Sequence, residues 1–250
     1  MKTTFFLILV LSSMINCLGQ TSKEYTDRGN SKIILHDFRG AIADFNKALE
    51  IDPNYAPANY GRGISKGNLL DYRGAIEDIT KFIDIVPNFP IAFFSRGTSK
   101  AMLHDYLGAI ADFTKAIEIN TEYSDAYTNR GSSRSDLEDY KGAIEDFTRA
   151  IYIDPKVAVN YFARGNAKGK LKDYLGALSD YSKGIEIDPK NAVVFNAKGM
   201  IEKDELEDFL GAIEDFNKAI EIDPKYAEAY YNRGTAKLML QEHQEAKEDF

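Results

Sequence analysis

The chain has 250 residues, 44% of them hydrophobic and 28% charged, a balance that can bury a core and argues against a disordered chain. Its 31 basic and 39 acidic residues leave a formal charge of −8, and no lysine or arginine cluster is dense enough to hold a phosphate backbone, so nucleic acid is not an expected partner. Cys17 is the only cysteine, which leaves no disulfide or zinc-thiolate framework in the body of the chain.

The first element in chain order is residues 1–19. Lys2 precedes an apolar run from Phe5 to Leu11, and Ser12, Ser13, Cys17 and Gly19 follow before the polar stretch begins. One positive charge, a short apolar segment and small residues predict a secretory signal peptide, with Cys17 and Gly19 at the two positions that must be small and Gln20 first after cleavage. The run is too short to span a bilayer as a helix. The alternative is a lipoprotein acylated on Cys17, the one route by which a membrane becomes a partner, although Asn16 stands where such signals carry a small residue. The expected location is therefore exported, periplasmic or extracellular, with a membrane-anchored lipoprotein as the alternative.

From Ser22 the sequence repeats. The tripeptide Gly-Ala-Ile, once Gly-Ala-Leu, places Gly40, Gly74, Gly108, Gly142 and Gly176 at intervals of 34, and Gly211 follows after 35. A second series keeps step with it: Arg28-Gly29, Arg62-Gly63, Arg96-Gly97, Arg130-Gly131, Arg164-Gly165, Lys198-Gly199 and Arg233-Gly234. Prolines close most units at Pro53, Pro87, Pro155, Pro189 and Pro224, and the third unit reads Asn120-Thr121 there. In this period, with small residues in the first helix, an alanine opening the second (Ala41, Ala75, Ala109, Ala143, Ala177, Ala212, Ala246) and a closing proline, the chain resembles the tetratricopeptide-repeat family. The units run over residues 22–55, 56–89, 90–123, 124–157, 158–191, 192–226 and 227–250, the last incomplete. The resemblance implies an all-α solenoid of antiparallel helix pairs, A and B, wound into a right-handed superhelix.

One unit shows the physics. Ala143, Phe147, Ala150 and Ile151 recur at helical intervals and make an apolar stripe on helix B, which Asp154-Pro155 ends, since proline lacks the amide hydrogen and restricts its predecessor. Gly131 and Ala143 are expected where helix A and helix B approach closely, with Tyr127, Tyr140 and Phe147 filling the space between hairpins. The sixth unit carries one extra residue and the acidic stretch Glu202 to Asp208, read as a lengthened hairpin turn. The seventh stops at Phe250, within helix B, which raises truncation of a longer protein or packing on another chain.

Two charged columns invite a functional reading. Arg28, Arg62, Arg96, Arg130, Arg164, Lys198 and Arg233 face Asp44, Asp78, Asp112, Asp146, Asp180, Asp215 and Asp249, and are read as ion pairs between helices rather than as a ladder for acidic ligands. Lys32, Lys66, Lys100, Arg134, Lys168 and Lys237 form a second column, interrupted at Glu202. Specificity is expected where repeats differ. The resemblance implies that helix A lines the concave surface, and its groove positions correspond here to Thr26 and Asn30, Tyr60 and Ile64, Phe94 and Thr98, Thr128 and Ser132, Phe162 and Asn166, Asn196 and Met200, and Tyr231 and Thr235. From these, Asn30, Tyr60, Phe94, Thr98, Thr128, Ser132, Phe162, Asn166, Tyr231 and Thr235 are the candidate partner-binding residues, a mixture of aromatic anchors and hydrogen-bonding groups that suits an extended peptide or a helix.

Catalysis finds no support. His36, His104 and His243 fall near the hairpin turns of different repeats, and neither a phosphate loop nor a nucleophile elbow is present. No catalytic residue, metal, cofactor or small-molecule substrate is expected. The expected function is an exported scaffold for a protein or peptide. The alternatives are an exported repeat module of a longer enzymatic or signalling protein, and a structural element that self-associates through its last repeat.

Overall fold

The computed structural model describes residues 20–250; the signal sequence expected over residues 1–19, with Cys17, lies outside the described residues. Every regular element among the described residues is a helix. Helix A of the successive repeats is α1 (Ser22–Ile34), α3 (Ala56–Asn68), α5 (Pro90–Met102), α7 (Ser124–Asp136), α9 (Ala158–Lys170), α11 (Ala192–Glu205) and α13 (Ala227–Met239). Helix B is α2 (Phe38–Ile51), α4 (Tyr72–Ile85), α6 (Tyr106–Ile119), α8 (Tyr140–Ile153), α10 (Tyr174–Ile187), α12 (Phe209–Ile222) and α14 (His243–Lys247). The chain is all-α, built of stacked antiparallel helix pairs, and divides into two compact units, α1 to α6 and α7 to α14.

Each hairpin turn is fixed by an aspartate. Asp37, Asp71, Asp105, Asp139, Asp173 and Asp208 precede the B helices, and each carboxylate accepts the amide of the glycine three residues on, at 2.9–3.0 Å. A Cβ at Gly40, Gly74, Gly108, Gly142, Gly176 or Gly211 would run into that same carboxylate. The glycine of the Gly-Ala-Ile tripeptide therefore serves a helix cap, and not the contact between helices. The residue before the aspartate takes the left-handed conformation without being glycine, as at His36 (φ 59°), Leu70 (φ 66°) and Glu138 (φ 62°). Helix B stops at the aspartate ahead of the proline, and Asp52, Asp154, Asp188 and Asp223 then accept an amide two residues on. Asn120 does the same for Glu122 at 3.1 Å, which is how the third repeat turns without a proline.

Within each unit the core lies between helices A and B of one repeat and helix A of the next. Phe45, Phe113, Phe147 and Phe216 are its fully buried rings, each lying on the helix-A glycine of its own repeat. A Cβ at Gly29, Gly63, Gly97, Gly131, Gly165, Gly199 or Gly234 would come within 2.7–2.9 Å of the large B-helix side chain opposite. This close approach is what the Arg-Gly series encodes.

In the sixth repeat α11 runs to 14 residues where the other A helices have 13. Its end widens, with the Leu206 amide bonding the Ile201 carbonyl and the Asp208 amide bonding the Glu202 carbonyl. The seventh repeat differs at its turn: α14 is five residues long, starts without a side-chain cap, and carries Glu245 where glycine stands elsewhere.

Candidate functional site

The regular charges are consumed by the fold. Arg28, Arg62, Arg96, Arg130 and Arg164 reach Asp44, Asp78, Asp112, Asp146 and Asp180 at 2.5–2.6 Å, and Arg233 pairs with Asp249. The second column lands on the same acids: Lys32, Lys66, Lys100, Arg134, Lys168 and Lys237 lie 2.8–2.9 Å from them. Each carboxylate thus sits between two cations, and in these six repeats its side chain keeps only 1–6% of its exposure. The ion pairs expected between helices A and B are therefore three-membered and centred on a buried acid. These are buried triads, in which removing the acid would strand two cations. Within each unit the arginine fork also reaches the preceding B helix, where Arg62 bonds Asn46, Arg96 bonds Thr80, Arg164 bonds Thr148 and Arg233 bonds Asn217.

The sixth repeat inverts the triad. Lys198 alone bridges two acids, Asp215 at 2.5 Å and Glu202 at 2.8 Å, and the second Glu202 oxygen is buried without a partner. Burial, outweighing the Lys198 hydrogen bond and aided by the neighbouring Asp215, pushes Glu202 up from 4.5 to about 7. In the ordinary triad of the first repeat, the hydrogen bond from Arg28 holds Asp44 down at about 2.

The irregular helix-A positions divide into exposed and packed ones. Asn30, Ser132 and Asn166 are exposed, and Tyr231 keeps 60% of its surface in water with its ring 5.8 Å from Phe250. Thr98, Thr128 and Thr235 are half-buried; Thr128 donates to Asn160 at 2.7 Å, and Thr235 accepts from Lys203 at 3.2 Å. Tyr60 and Phe94 are also half-buried. Tyr60 lies against Phe82 (4.9 Å) and Phe89 (5.7 Å), and Phe94 against Phe113 (5.7 Å).

Phe162 departs most from its expected place. Only 6% exposed, its ring fills the hollow over Gly184, at the position where Ala48, Ala116, Ala150 and Ala219 stand in other repeats. Thr26 and Asn196 are likewise buried, Asn196 accepting from Asn232 at 3.0 Å.

Each unit has a hollow beside its helix-A positions. In the first unit, Ile64, Gly67, Tyr72, Ile79, Phe94 and Thr98 contribute to one of about 220 Å³. In the second, Asn166, Gly169, Tyr174, Tyr181, Met200 and Ile201 contribute to one of about 420 Å³, which also carries Lys170, Asp204 and Glu205. The Tyr181 hydroxyl donates to Asn166 at 2.5 Å, and burial pushes that phenol up to about 12. Among the described residues, no group of three or more His, Cys, Asp or Glu could hold a metal ion, and no helix is long and apolar enough to cross a membrane.

Sequence profiles described as tetratricopeptide repeat match residues 25–55, 124–157 and 158–191, and one described as TPR repeat matches residues 205–241. Among solved structures, the crystal structure of MamA protein aligns with a TM-score of 0.65 at 28% identity, covering 70% of this chain and 96% of that one. The crystal structure of YrrB, described as a TPR protein with an unusual peptide-binding site, aligns at 0.64 and 23% identity, covering 74% and 95%. The C-terminal part of a TPR repeat-containing protein from Cytophaga hutchinsonii aligns at 0.78 and 18% identity, covering 90% and 92%. No curated protein matches the chain.

Proposed function

The chain belongs to the tetratricopeptide-repeat proteins and is a scaffold for protein–protein interaction, and from that premise we propose that it holds an extended peptide or a helix of its partner on the helix-A face of each unit. One observation carries the reading. The residues that recur from repeat to repeat are engaged in triads, caps and close contacts, whereas the unlike helix-A positions include the exposed Asn30, Ser132, Asn166 and Tyr231 and the half-buried Thr98 and Thr235. Tyr231 is the aromatic anchor in the second unit, and the hydroxyl and amide groups of the set suit a polypeptide backbone. The peptide-binding site described for YrrB supports the same kind of ligand.

Replacing Asn30 and Ser132 by arginine and Tyr231 by alanine tests it. Partner capture from a native extract is expected to be lost with helical circular dichroism unchanged, whereas Tyr152→Ala, on a B helix, leaves capture intact. Capture that survives the triple substitution overturns the reading.

Export belongs to the same proposal, supported by the charged start, apolar run and small residues of positions 1–19. Mass spectrometry of the protein from its native host would find Gln20 as the first residue. A lipid on Cys17 would instead make it a membrane-anchored lipoprotein, and an intact Met1 would overturn export.

A further inference from the structure

Two helix-A glycines break the rule that glycine marks a close contact. Gly67 and Gly169 occupy one repeat position, which Ile33, Ala101, Ser135, Lys203 and Leu238 fill elsewhere. A Cβ at Gly67 would meet Ala75 Cβ at 3.7 Å and one at Gly169 would meet Ile201 Cδ1 at 3.8 Å, both ordinary contacts. Neither glycine has a positive φ. Glycine inside a helix costs stability relative to alanine, and here neither packing nor backbone calls for it. What each one leaves open is the hollow beside it.

The two hollows differ in charge. The one at Gly67 contains no ionisable acid or base among its lining residues, whereas the one at Gly169 is walled by Tyr174, Tyr181, Met200 and Ile201 and carries two exposed carboxylates, Asp204 and Glu205, against one ammonium, Lys170. Asp204 is already 3.3 Å from Lys203. Glu205 has no ion pair among the described residues, and its carboxylate beside Tyr174 raises that phenol above its usual range. In the same pair of repeats Lys198 lacks the guanidinium fork by which other repeats tie helix A to the preceding B helix, and Phe162 lies in the core over Gly184.

We propose that the hollow at Gly169 takes a basic side chain, arginine or lysine, of the partner polypeptide. The aliphatic stem lies along Met200 and Ile201 between the two tyrosine rings, and the charged head meets Glu205 with Asp204 behind it. The formal charge of −8 on the whole chain draws such a partner in. This inference deepens the helix-A reading and rests on it; the Gly67 hollow, with no acid, serves as its internal control.

The test is a titration of the full mature chain carrying 13C-methyl methionine with the peptide acetyl-Gly-Ala-Xaa-Ala-Gly-amide, where Xaa is arginine, citrulline or leucine. The Met200 methyl signal is expected to shift saturably with the arginine peptide while Met102 and Met239 stay still. Binding weakens by about ten-fold or more with citrulline, which keeps the shape and loses the charge, and similarly in Glu205→Gln. Gly169→Leu, which fills open space and leaves the fold intact, abolishes the shift. Equal binding of the citrulline or leucine peptide, a shift that survives Gly169→Leu, or no saturable shift overturns the assignment. If that happens while Tyr231→Ala still costs partner capture, the helix-A reading stands without the basic side chain; if neither measurement responds, both fall.

Discussion

Glycine does three kinds of work in this chain, and substitution separates them. At Gly131 an added methyl would sit 2.9 Å from Phe147 Cε1, inside a packed core, so Gly131→Ala should cost about 1–3 kcal/mol in urea unfolding. At Gly169 the same change meets only Ile201 at 3.8 Å and should raise stability by up to about 1 kcal/mol. Equal effects at the two sites would contradict the assignment of one to packing and the other to a hollow. Glu202 gives a second contrast. Its folded-state value, raised from 4.5 to about 7, means that the native chain holds this proton longer than the unfolded chain does, so stability falls as pH rises through that window. Asp44 has the opposite sign: lowered from 3.8 to about 2, it contributes stability above pH 3.8 that is lost as pH falls through 2. Glu202→Lys would rebuild the triad of the other repeats and satisfy a buried site, raising stability by about 1–3 kcal/mol and removing the excess loss between pH 5 and 8 relative to the parent chain. A pH profile unchanged by that substitution would refute this account of Glu202.

At the scale of the hairpin, the period, the helix limits and the Arg–Asp pairing were all legible in the sequence because they recur in register. Two things were not. The role of the Gly-Ala-Ile glycine needs the position of Asp139 Oδ1, 3.0 Å from the Gly142 amide, which reveals a cap. The partners of the second basic column were hidden, since sequence spacing does not show that Lys66 and Arg62 converge on one buried Asp78. The burial of Phe162 left a signal that could have been read: in the alanine column Ala48, Ala116, Ala150 and Ala219, the fifth repeat has Gly184, and the missing methyl makes room for a ring. Phe82 in the same column likewise foretells the stacking of Tyr60. The triads give the element-level prediction. Asp112→Ala strands Arg96 and Lys100 in a buried site and should cost about 3–5 kcal/mol, several times what an exposed pair is worth, as read from thermal or urea melts.

For the molecule as a whole, a stack of hairpins has stability that sums over repeats and their neighbour contacts, so its weakest contact sets where it opens. In the second unit that contact is between α10 and α11, where Lys198 offers no fork to the preceding helix and the hollow at Gly169 replaces packed side chains. Amides of α11 should exchange with solvent faster than those of α9, and Lys198→Arg should slow them; equal exchange in the two helices would count against a weak joint. The same division of labour underlies the functional account, in which repeated residues build the stack and unlike residues on helix A meet the partner. The most direct measurement is photo-crosslinking in a native extract from p-benzoylphenylalanine placed at residue 231 on helix A or at residue 152 on helix B, both exposed tyrosine positions at 60% and 74%. The account predicts a partner adduct from position 231 and none from 152. Adducts from 152 alone, or equally from both, would contradict it.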